Sequence, residues 1–305
     1  MTFQKISGER TQWIDIADPT LHDVGILRRF YPDLHPLNLE DVLSSIERPK
    51  IDEQDEYIFV VMHFPLFDPA QRLSRQSEVD FFIGRNYVIT IHDDRLKPLV
   101  QLFNACRDDS TVCRSVLGKS ASYAFYVILD KLVDYTFPIL SKVDTNIREI
   151  EDKIFDAEGL SLIRDIALVR RDTNALRRII RQQVSIINQI GRVKSDIIHE
   201  ELDEYFDDLV DHIQRARDII DEAAEIISNL SETADKLISH QINAVIRVLT
   251  VFSVIMLPLT FVTSLFGMNV LLPFQDHPEA FTLIALVMFG ITGGMLAYFR
   301  YRRWI

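Results

Sequence analysis

The sequence predicts an α/β N-terminal domain, a long helical stalk and two transmembrane helices at the C-terminus. Three observations support this fold class: short β-branched and aromatic runs near the N-terminus, helical spacing of apolar residues after Ser120, and two uncharged segments after Arg247. Residues 248–275 and 280–299 contain no charged side chain, and about 20 residues suffice for a helix to cross a bilayer. The 305-residue chain therefore combines a large polar body with a membrane hairpin.

Residues 1–118 form the predicted α/β domain. Alternating or β-branched runs predict strands, and Gly84-Arg85-Asn86 predicts a turn between two of them. The strands are expected at 12–16, 57–67, 79–83 and 87–91, with short helices at 36–43 and 98–106. We find no Gly-rich phosphate loop, G-x-S-x-G or H-E-x-x-H motif in this segment, so nothing in it points to an enzyme. His92-Asp93-Asp94 could suggest a metal site, but its place between a strand end and a helix favours a cap or a turn.

Residues 119–201 are predicted to form a helical hairpin, with one helix over 123–155 and another over 160–190. The chain then contains neither Gly nor Pro from residue 192 to residue 257. One helix is therefore predicted from Leu202 to Phe266, about 95 Å long. Its part at 202–246 is the cytoplasmic stalk, and its part at 247–268 is the first transmembrane helix. Movement of the stalk would thus reach the membrane mechanically.

The charges that flank the two spans predict the topology. Arg247 precedes the first span, and Arg300, Arg302 and Arg303 lie in the tail 300–305 after the second span, 280–299. The loop 269–279 contains Asp276 and Glu279 but no Lys or Arg. The positive-inside rule therefore places both termini in the cytoplasm, with the protein in a plasma membrane.

The net charge of −12 disfavours nucleic acid as a partner, because a general nucleic-acid binder needs a cationic face. Residues 1–246 carry 29 basic and 43 acidic side chains, a net charge of −14. This excess is suited to binding cations.

The first span carries a polar stripe. Its members are spaced so that they share one helical face with Ile246 and Leu257: Asn243, Thr250, Ser253, Thr260 and Ser264. One interpretation is polar packing between helices. The other is the lining of a pore that several copies of the chain surround. Such a pore has no fixed charge, and it would suit Mg²⁺ that keeps its water shell, because Mg²⁺ dehydrates reluctantly.

Gly267-Met268-Asn269 ends this span, and a basic tail follows the second one. Together with the segments Asn243–Thr250, Pro258-Leu-Thr-Phe and Phe266-Gly-Met-Asn, this arrangement resembles the CorA family of magnesium channels. The resemblance covers the long helix and both spans well, and covers the N-terminal domain mainly by architecture.

The resemblance implies a funnel-shaped homopentamer whose first span lines the pore. It implies that Gly267, Met268 and Asn269 form the selectivity motif, with Asn269 holding hydrated Mg²⁺ at the outer mouth. The pore positions that it implies, which include most of the stripe, are Asn243, Ile246, Leu249, Thr250, Ser253, Leu257 and Thr260.

The resemblance also implies regulation by Mg²⁺ bound in the cytoplasm between acidic residues of adjacent subunits. The corresponding positions are Asp208, Glu232 and Asp68. Mg²⁺ would then be both the transported ion and the regulatory ligand, and the partners would be the bilayer, divalent cations and other copies of the chain. A fall in cytoplasmic Mg²⁺ would loosen the acidic ring and open the pore.

Two alternatives remain at this stage. The loop Leu271-Leu-Pro-Phe-Gln-Asp-His-Pro-Glu279 departs from the stretch common in the family, although Asp276 and Glu279 would still form an outer acidic collar. His277 beside them leaves room for a zinc transporter of the same superfamily, with proton coupling as an option. The alternative from another class is a membrane-anchored coiled-coil scaffold that transports nothing. The preference among Mg²⁺, Co²⁺, Ni²⁺ and Zn²⁺ stays open.

Overall fold

A computed structural model describes residues 3–44, 47–154, 159–193, 195–198, 200–268 and 279–304. An N-terminal α/β domain, a long helix and two apolar C-terminal helical segments confirm the predicted fold class. The strands are β1 Phe3–Ser7, β2 Gln12–Ala17, β3 Lys50–Glu53, β4 Tyr57–Asp68, β5 Leu73–Gly84 and β6 Tyr87–His92. The helices are α1 Leu21–Phe30, α2 Pro36–Asp41, α3 Lys97–Asp108, α4 Ser110–Leu117, α5 Ala121–Asp134, α6 Thr136–Lys153, α7 Gly159–Ile190, α8 Asp203–Phe266 and α9 Ala280–Tyr301.

The sheet is mixed, with the strand order β1-β2-β6-β5-β4-β3. β2 and β6 are parallel, and the other neighbouring strands are antiparallel. β4 and β5 form a long hairpin that pairs from Tyr57 opposite Gly84 to Asp68 opposite Leu73. The predicted turn at 84–86 joins β5 to β6. On one sheet face, Val61, Phe82, Ile89 and Ile91 pack in a core with residues of α1 and α2.

The prediction of one helix over residues 123–155 was wrong. Two helices, α5 and α6, are separated at Tyr135, and Phe155 lies outside the described residues. The reason is Pro138 in the first turn of α6. Proline has no N–H to donate to the carbonyl four residues earlier, that of Asp134, and its ring clashes with that carbonyl. The helix predicted from Leu202 is present as α8 and begins at Asp203.

The chain divides into two compact units, residues 1–231 and 232–305, and α8 contributes to both. In the described residues, α8 and α9 are the two helices that are long and apolar enough to cross a membrane. Large apolar side chains are exposed along them, including Leu249 at 63%, Leu257 at 72% and Phe289 at 78%. So much exposed apolar surface indicates an apolar surrounding such as lipid or other subunits.

A buried polar network ties β2 to β6 on the other face of the sheet. The indole Nε1–H of Trp13 donates to Thr90 Oγ1 at 2.9 Å, and the Thr90 hydroxyl donates to Asp15 Oδ1 at 2.5 Å. His92 Nδ1 accepts from the backbone N–H of Asp94 at 3.0 Å, so Nε2 carries the proton that faces Asp15 at 3.1 Å. β6 ends at His92, and Asp94 has a positive φ of 56°, so the chain changes direction here.

We predict that Thr90→Val destabilises the protein by about 2–6 kcal/mol, because Trp13 and Asp15 each lose a buried hydrogen-bond partner, at about 1–3 kcal/mol each. Denaturant unfolding of the full-length protein in detergent measures this loss. Thr145→Val is the control, since its exposed hydroxyl bonds only to the Ser141 carbonyl of its own helix. A Thr90→Val variant as stable as the control would contradict the assigned role of the network.

Candidate functional site

The predicted pore positions share one face of α8. At about 100° per residue, the positions from Asn243 to Ser264 fall within an arc of roughly 120°. The apolar members are exposed in the single chain, with Ile246 at 53% and Leu257 at 72%. Val251, on a different side of the helix, is buried at 7%. The described chain therefore leaves this stripe uncovered.

The hydroxyl groups of the stripe are satisfied within the helix as donors. Thr250 donates to the Ile246 carbonyl at 2.7 Å, Ser253 to the Leu249 carbonyl at 2.8 Å and Thr260 to the Met256 carbonyl at 2.8 Å. A hydroxyl oxygen has two acceptor lone pairs in addition to its donor. Each of these oxygens can therefore accept a hydrogen bond from water while its own O–H still donates to the backbone carbonyl.

At the end of the stripe, α8 stops at Phe266, and Gly267 follows in a turn. Gly267 does not have a positive φ; its N–H donates to the Thr263 carbonyl at 2.9 Å. A Cβ atom at this position would lie 3.1 Å from that same oxygen, so a larger residue would require a shift of a few tenths of an ångström. Asn269, Asp276 and His277 lie outside the described residues. Glu279 is exposed and precedes the first residue of α9.

The three predicted regulatory carboxylates have different surroundings. Asp68 Oδ1 accepts from the N–H of Ala70 at 2.9 Å, and Oδ2 lies 3.8 Å from Arg75 Nε. Glu232 is exposed and binds Lys236 Nζ at 2.6 Å, a hydrogen bond that lowers the pKa of Glu232. Asp208 is exposed, and Oδ2 lies 3.9 Å from His212 Nε2. Among the described residues, no contact joins these three carboxylates to one another.

A cluster next to Asp208 was missed from the sequence. Asp130 and Asp134 of α5 and His212 of α8 each present a ligand atom, and these atoms lie within 4.8 Å of one another. We call these three residues the Asp–Asp–His cluster. His212 Nδ1 lies 3.9 Å from Asp130 Oδ1 and is buried without a hydrogen-bond partner. Two carboxylates and an imidazole are ligands for Zn²⁺, Co²⁺ or Ni²⁺ more than for Mg²⁺.

The electrostatics of the cluster favour a bound cation. Burial, and then the negative charge of Asp134, raises the pKa of Asp130 above its ordinary value, against the opposing effect of His212. A divalent cation between the two carboxylates would remove that repulsion. Asp208 Oδ2 lies 3.9 Å from the other ring nitrogen, beyond hydrogen-bond distance, and adds a further negative charge beside the cluster. The sequence signal was two pairs at i,i+4 spacing, Asp130/Asp134 and Asp208/His212, but only the packing of α5 on α8 joins them.

Comparison with known proteins decides the family. The family described as CorA-like Mg²⁺ transporter protein matches residues 8–303. The chain belongs to this family. The CorA-like sequence is 29% identical over 298 residues to YfjQ of Bacillus subtilis (strain 168), covering 96% of this chain and 89% of that protein. It is 26% identical over 301 residues to the cobalt/magnesium transport protein CorA of Thermotoga maritima, covering 96% and 83%.

The fold of this CorA-like chain has a solved counterpart. The complete structure of the CorA magnesium transporter from Methanocaldococcus jannaschii superposes with a TM-score of 0.85 at 22% identity, covering 98% of this chain and 94% of that one. The resemblance drawn from Gly267-Met268-Asn269 and its surroundings is therefore confirmed at the level of the family and the fold.

We predict that Co²⁺ or Ni²⁺ raises the unfolding temperature of the full-length protein through the Asp–Asp–His cluster. At 100-fold excess over Kd, a ligand stabilises by about 2.7 kcal/mol, or roughly 5 °C or more for a unit of this size. His212→Gln should lose at least half of the shift. His22→Gln is the matched control, because His22 is exposed on α1. Equal shifts in both variants would show that His212 is not a ligand.

Proposed function

We propose that this CorA-like protein is a homopentameric channel that carries Mg²⁺ into the cytoplasm. The observation that carries the proposal is the stripe on α8, whose hydroxyl protons are bound within the helix while their oxygens remain free to accept. Two spans in one chain cannot enclose a pore. Five copies of α8 with the stripe inward would line one, and would also surround the exposed apolar side chains of the stripe, Ile246, Leu249 and Leu257.

The proposed pore selects its ion by hydration. The first shell of Mg²⁺ is held tightly, and its waters donate hydrogen bonds outward. Rings of Thr250, Ser253 and Thr260 oxygens accept such bonds without stripping the ion. At the outer mouth, the carboxamides of Asn269 serve as the first ring of acceptors. Asp276 and Glu279 raise the local concentration of cations.

The membrane potential drives uptake when the stalk lies in the cytoplasm. A potential of 100 mV supplies about 2.3 kcal/mol per elementary charge, or about 4.6 kcal/mol for a divalent ion. Rings of Ile246, Leu249 and Leu257 form the constriction, which closes by excluding water. Because α8 is one helix from Asp203 to Phe266, a displacement of the stalk changes the spacing of these rings.

Cytoplasmic Mg²⁺ closes the proposed channel. Five bodies of −14 place roughly 70 negative charges about one axis, and their repulsion favours separation. Mg²⁺ bound by Asp208, Glu232 and Asp68 at subunit boundaries offsets this repulsion. The exposure of Asp208 and Glu232 in the single chain supports this assignment, because both carboxylates are accessible to a neighbouring subunit.

A second candidate function is transport of a softer ion such as Zn²⁺ or Co²⁺. The observation that favours it is the imidazole in the Asp–Asp–His cluster. Flux of each ion into liposomes, measured with and without a membrane potential, decides between the two. Transport of Zn²⁺ that excludes Mg²⁺ would select the second candidate. No flux of any divalent cation would select the non-transporting scaffold.

We predict that Thr250→Val lowers Mg²⁺ flux into liposomes at least about fivefold, because each subunit loses an acceptor worth about 1 kcal/mol in the permeation pathway. Thr263→Val is the matched control. It removes a hydroxyl from the same helix, but Thr263 lies about 140° from Thr250 and lines an apolar groove with α9 residues. Equal flux through the two variants would remove the stripe from the mechanism.

We predict that Asp208→Asn makes flux less sensitive to Mg²⁺ on the cytoplasmic side, since the closed ring loses one carboxylate per subunit. Raising cytoplasmic Mg²⁺ from zero to millimolar should reduce wild-type flux, and should reduce that of Asp208→Asn several-fold less. Asp207→Asn, an exposed neighbour on α8, controls for the loss of charge alone. Wild-type flux that does not respond to cytoplasmic Mg²⁺ would contradict the gating mechanism.

A further inference from the structure

A cavity of about 900 Å³ lies in the N-terminal unit beside β4, β5 and α7. Its wall includes alternate residues of β5 from Ser74 to Asp80, and Ala175, Arg178 and Ile179 of α7. Two contacts bring α7 to this part of the sheet: Asp172 Oδ1 accepts from the N–H of Ser74 at 2.5 Å, and Gln182 Oε1 lies 3.4 Å from His63 Nδ1. The volume is within the range of small-molecule sites, roughly 300–1,000 Å³.

Three residues of this lining carry a buried polar atom that has no hydrogen-bond partner among the described residues: Asp80 at Oδ1, Ser74 at Oγ and Ser44 at Oγ. Asp80 is 3% exposed and Ser74 is 2% exposed. Burial, followed by the charges of Glu78, Asp41 and Glu47, holds the pKa of Asp80 well above its ordinary value, and Lys50 opposes this only in part. Buried polar groups are nearly always bonded in folded proteins, so unpaired acceptors at a cavity indicate a missing donor.

The charge of the lining indicates the sign of the ligand. Five carboxylates and three guanidinium groups line the cavity. Arg75 pairs with Asp68 at 3.8 Å, and Arg95 pairs with Asp93 at 3.7 Å. These pairs leave three carboxylates, those of Asp18, Glu78 and Asp80, against one guanidinium, that of Arg178. Glu78 and Asp80 form an acidic end, where Glu78 Oε2 contacts only the N–H of Glu47 and His63 Nε2 among the described residues. A cationic group fits this end, and a phosphate does not.

The shape of the lining indicates an elongated ligand. Ser74 and Asp80 lie six residues apart on one face of β5, which separates them by about 20 Å. One hydrated metal ion cannot reach both ends. Between them, Ile179 of α7 adds apolar wall that suits methylene groups, and Phe67, which pairs with Ser74, adds apolar surface at that end. Glu78 and Asp80, at alternate positions of the strand, are about 6.6 Å apart.

We propose that this cavity binds a linear aliphatic polyamine. Its ammonium groups, separated by propane or butane units, donate to Glu78 and Asp80 at the acidic end, and the remaining ammonium group extends along the cavity toward Ser74. The methylene units lie along Ile179 of α7, with Phe67 at the Ser74 end. Binding a cation lets Asp80 ionise without leaving an uncompensated buried charge. This site does not depend on which ion crosses the membrane.

Isothermal titration of spermidine into the full-length protein in detergent tests the proposal. The wild-type protein should bind about one spermidine per chain with saturation, and both Asp80→Asn and Glu78→Gln should weaken the affinity at least about tenfold, because each loses a charge-assisted hydrogen bond. Asp55→Asn should bind like the wild type. It removes an exposed carboxylate from the turn between β3 and β4, away from the cavity lining.

Thermal unfolding of each variant shows that it is folded, and Glu78→Gln carries the test alone if Asp80→Asn does not fold. Absence of saturable spermidine binding would mean that the cavity holds water only, and would overturn the proposal. Equal affinity in Glu78→Gln and Asp55→Asn would place spermidine on the exposed acids and would overturn it too. A parallel titration with MgCl₂ completes the design: Mg²⁺ binding that is lost in both cavity variants while spermidine binding persists would assign the site to a metal ion instead.

Discussion

The structure depends on one constraint: a chain that crosses hydrocarbon must satisfy its backbone hydrogen bonds within the segment. In α8 this requirement fixes the helix, and it also determines how the polar side chains behave. The hydroxyl groups of Thr250, Ser253 and Thr260 donate hydrogen bonds to carbonyls of the preceding turn. A polar stripe can therefore exist in an apolar helix at low cost, and its oxygens become available as acceptors. The same hydroxyl groups could therefore make polar contacts between helices or line a pore. Only the arrangement of the subunits in the oligomer distinguishes these two roles.

Periodicity and breakers predicted most of the fold. The lack of Gly and Pro between residues 192 and 257 predicted α8 to within one residue at its start, because a helix of this length needs only the absence of interruptions. The break between α5 and α6 at Tyr135 was missed, because the apolar spacing continues through it and Pro138 sits where a helix start tolerates proline. Sequence spacing indicates which residues share a face, but the backbone decides where the face is interrupted.

The sites divide in the same way. The stripe on α8 lies within one element, so its spacing was enough to find it. The Asp–Asp–His cluster joins α5 to α8, and the cavity joins β5 to α7, so both require tertiary packing. Asp80 is the sharpest case. In the run Val79-Asp80-Phe81-Phe82, the charge of Asp80 and the alternation with Val79 and Phe81 would assign its side chain to solvent. In the structure, Asp80 is on the same strand face as the buried Phe82. Its burial becomes visible only with Val42 and α7 in place.

The negative charge of this CorA-like chain has a different physical meaning at each of these places. On α8 the exposed acids are solvated, so they repel one another weakly and respond to cations in bulk solution. In the Asp–Asp–His cluster, partial burial strengthens the repulsion between Asp130 and Asp134. A small divalent metal ion between the two carboxylates would offset this repulsion. At Asp80, burial is nearly complete and the cavity beside it is large. An organic cation, whose apolar part can fill the cavity, suits this site better than a bare metal ion. If these sites bind cations as proposed, depth of burial, more than the count of carboxylates, determines which cation suits each one.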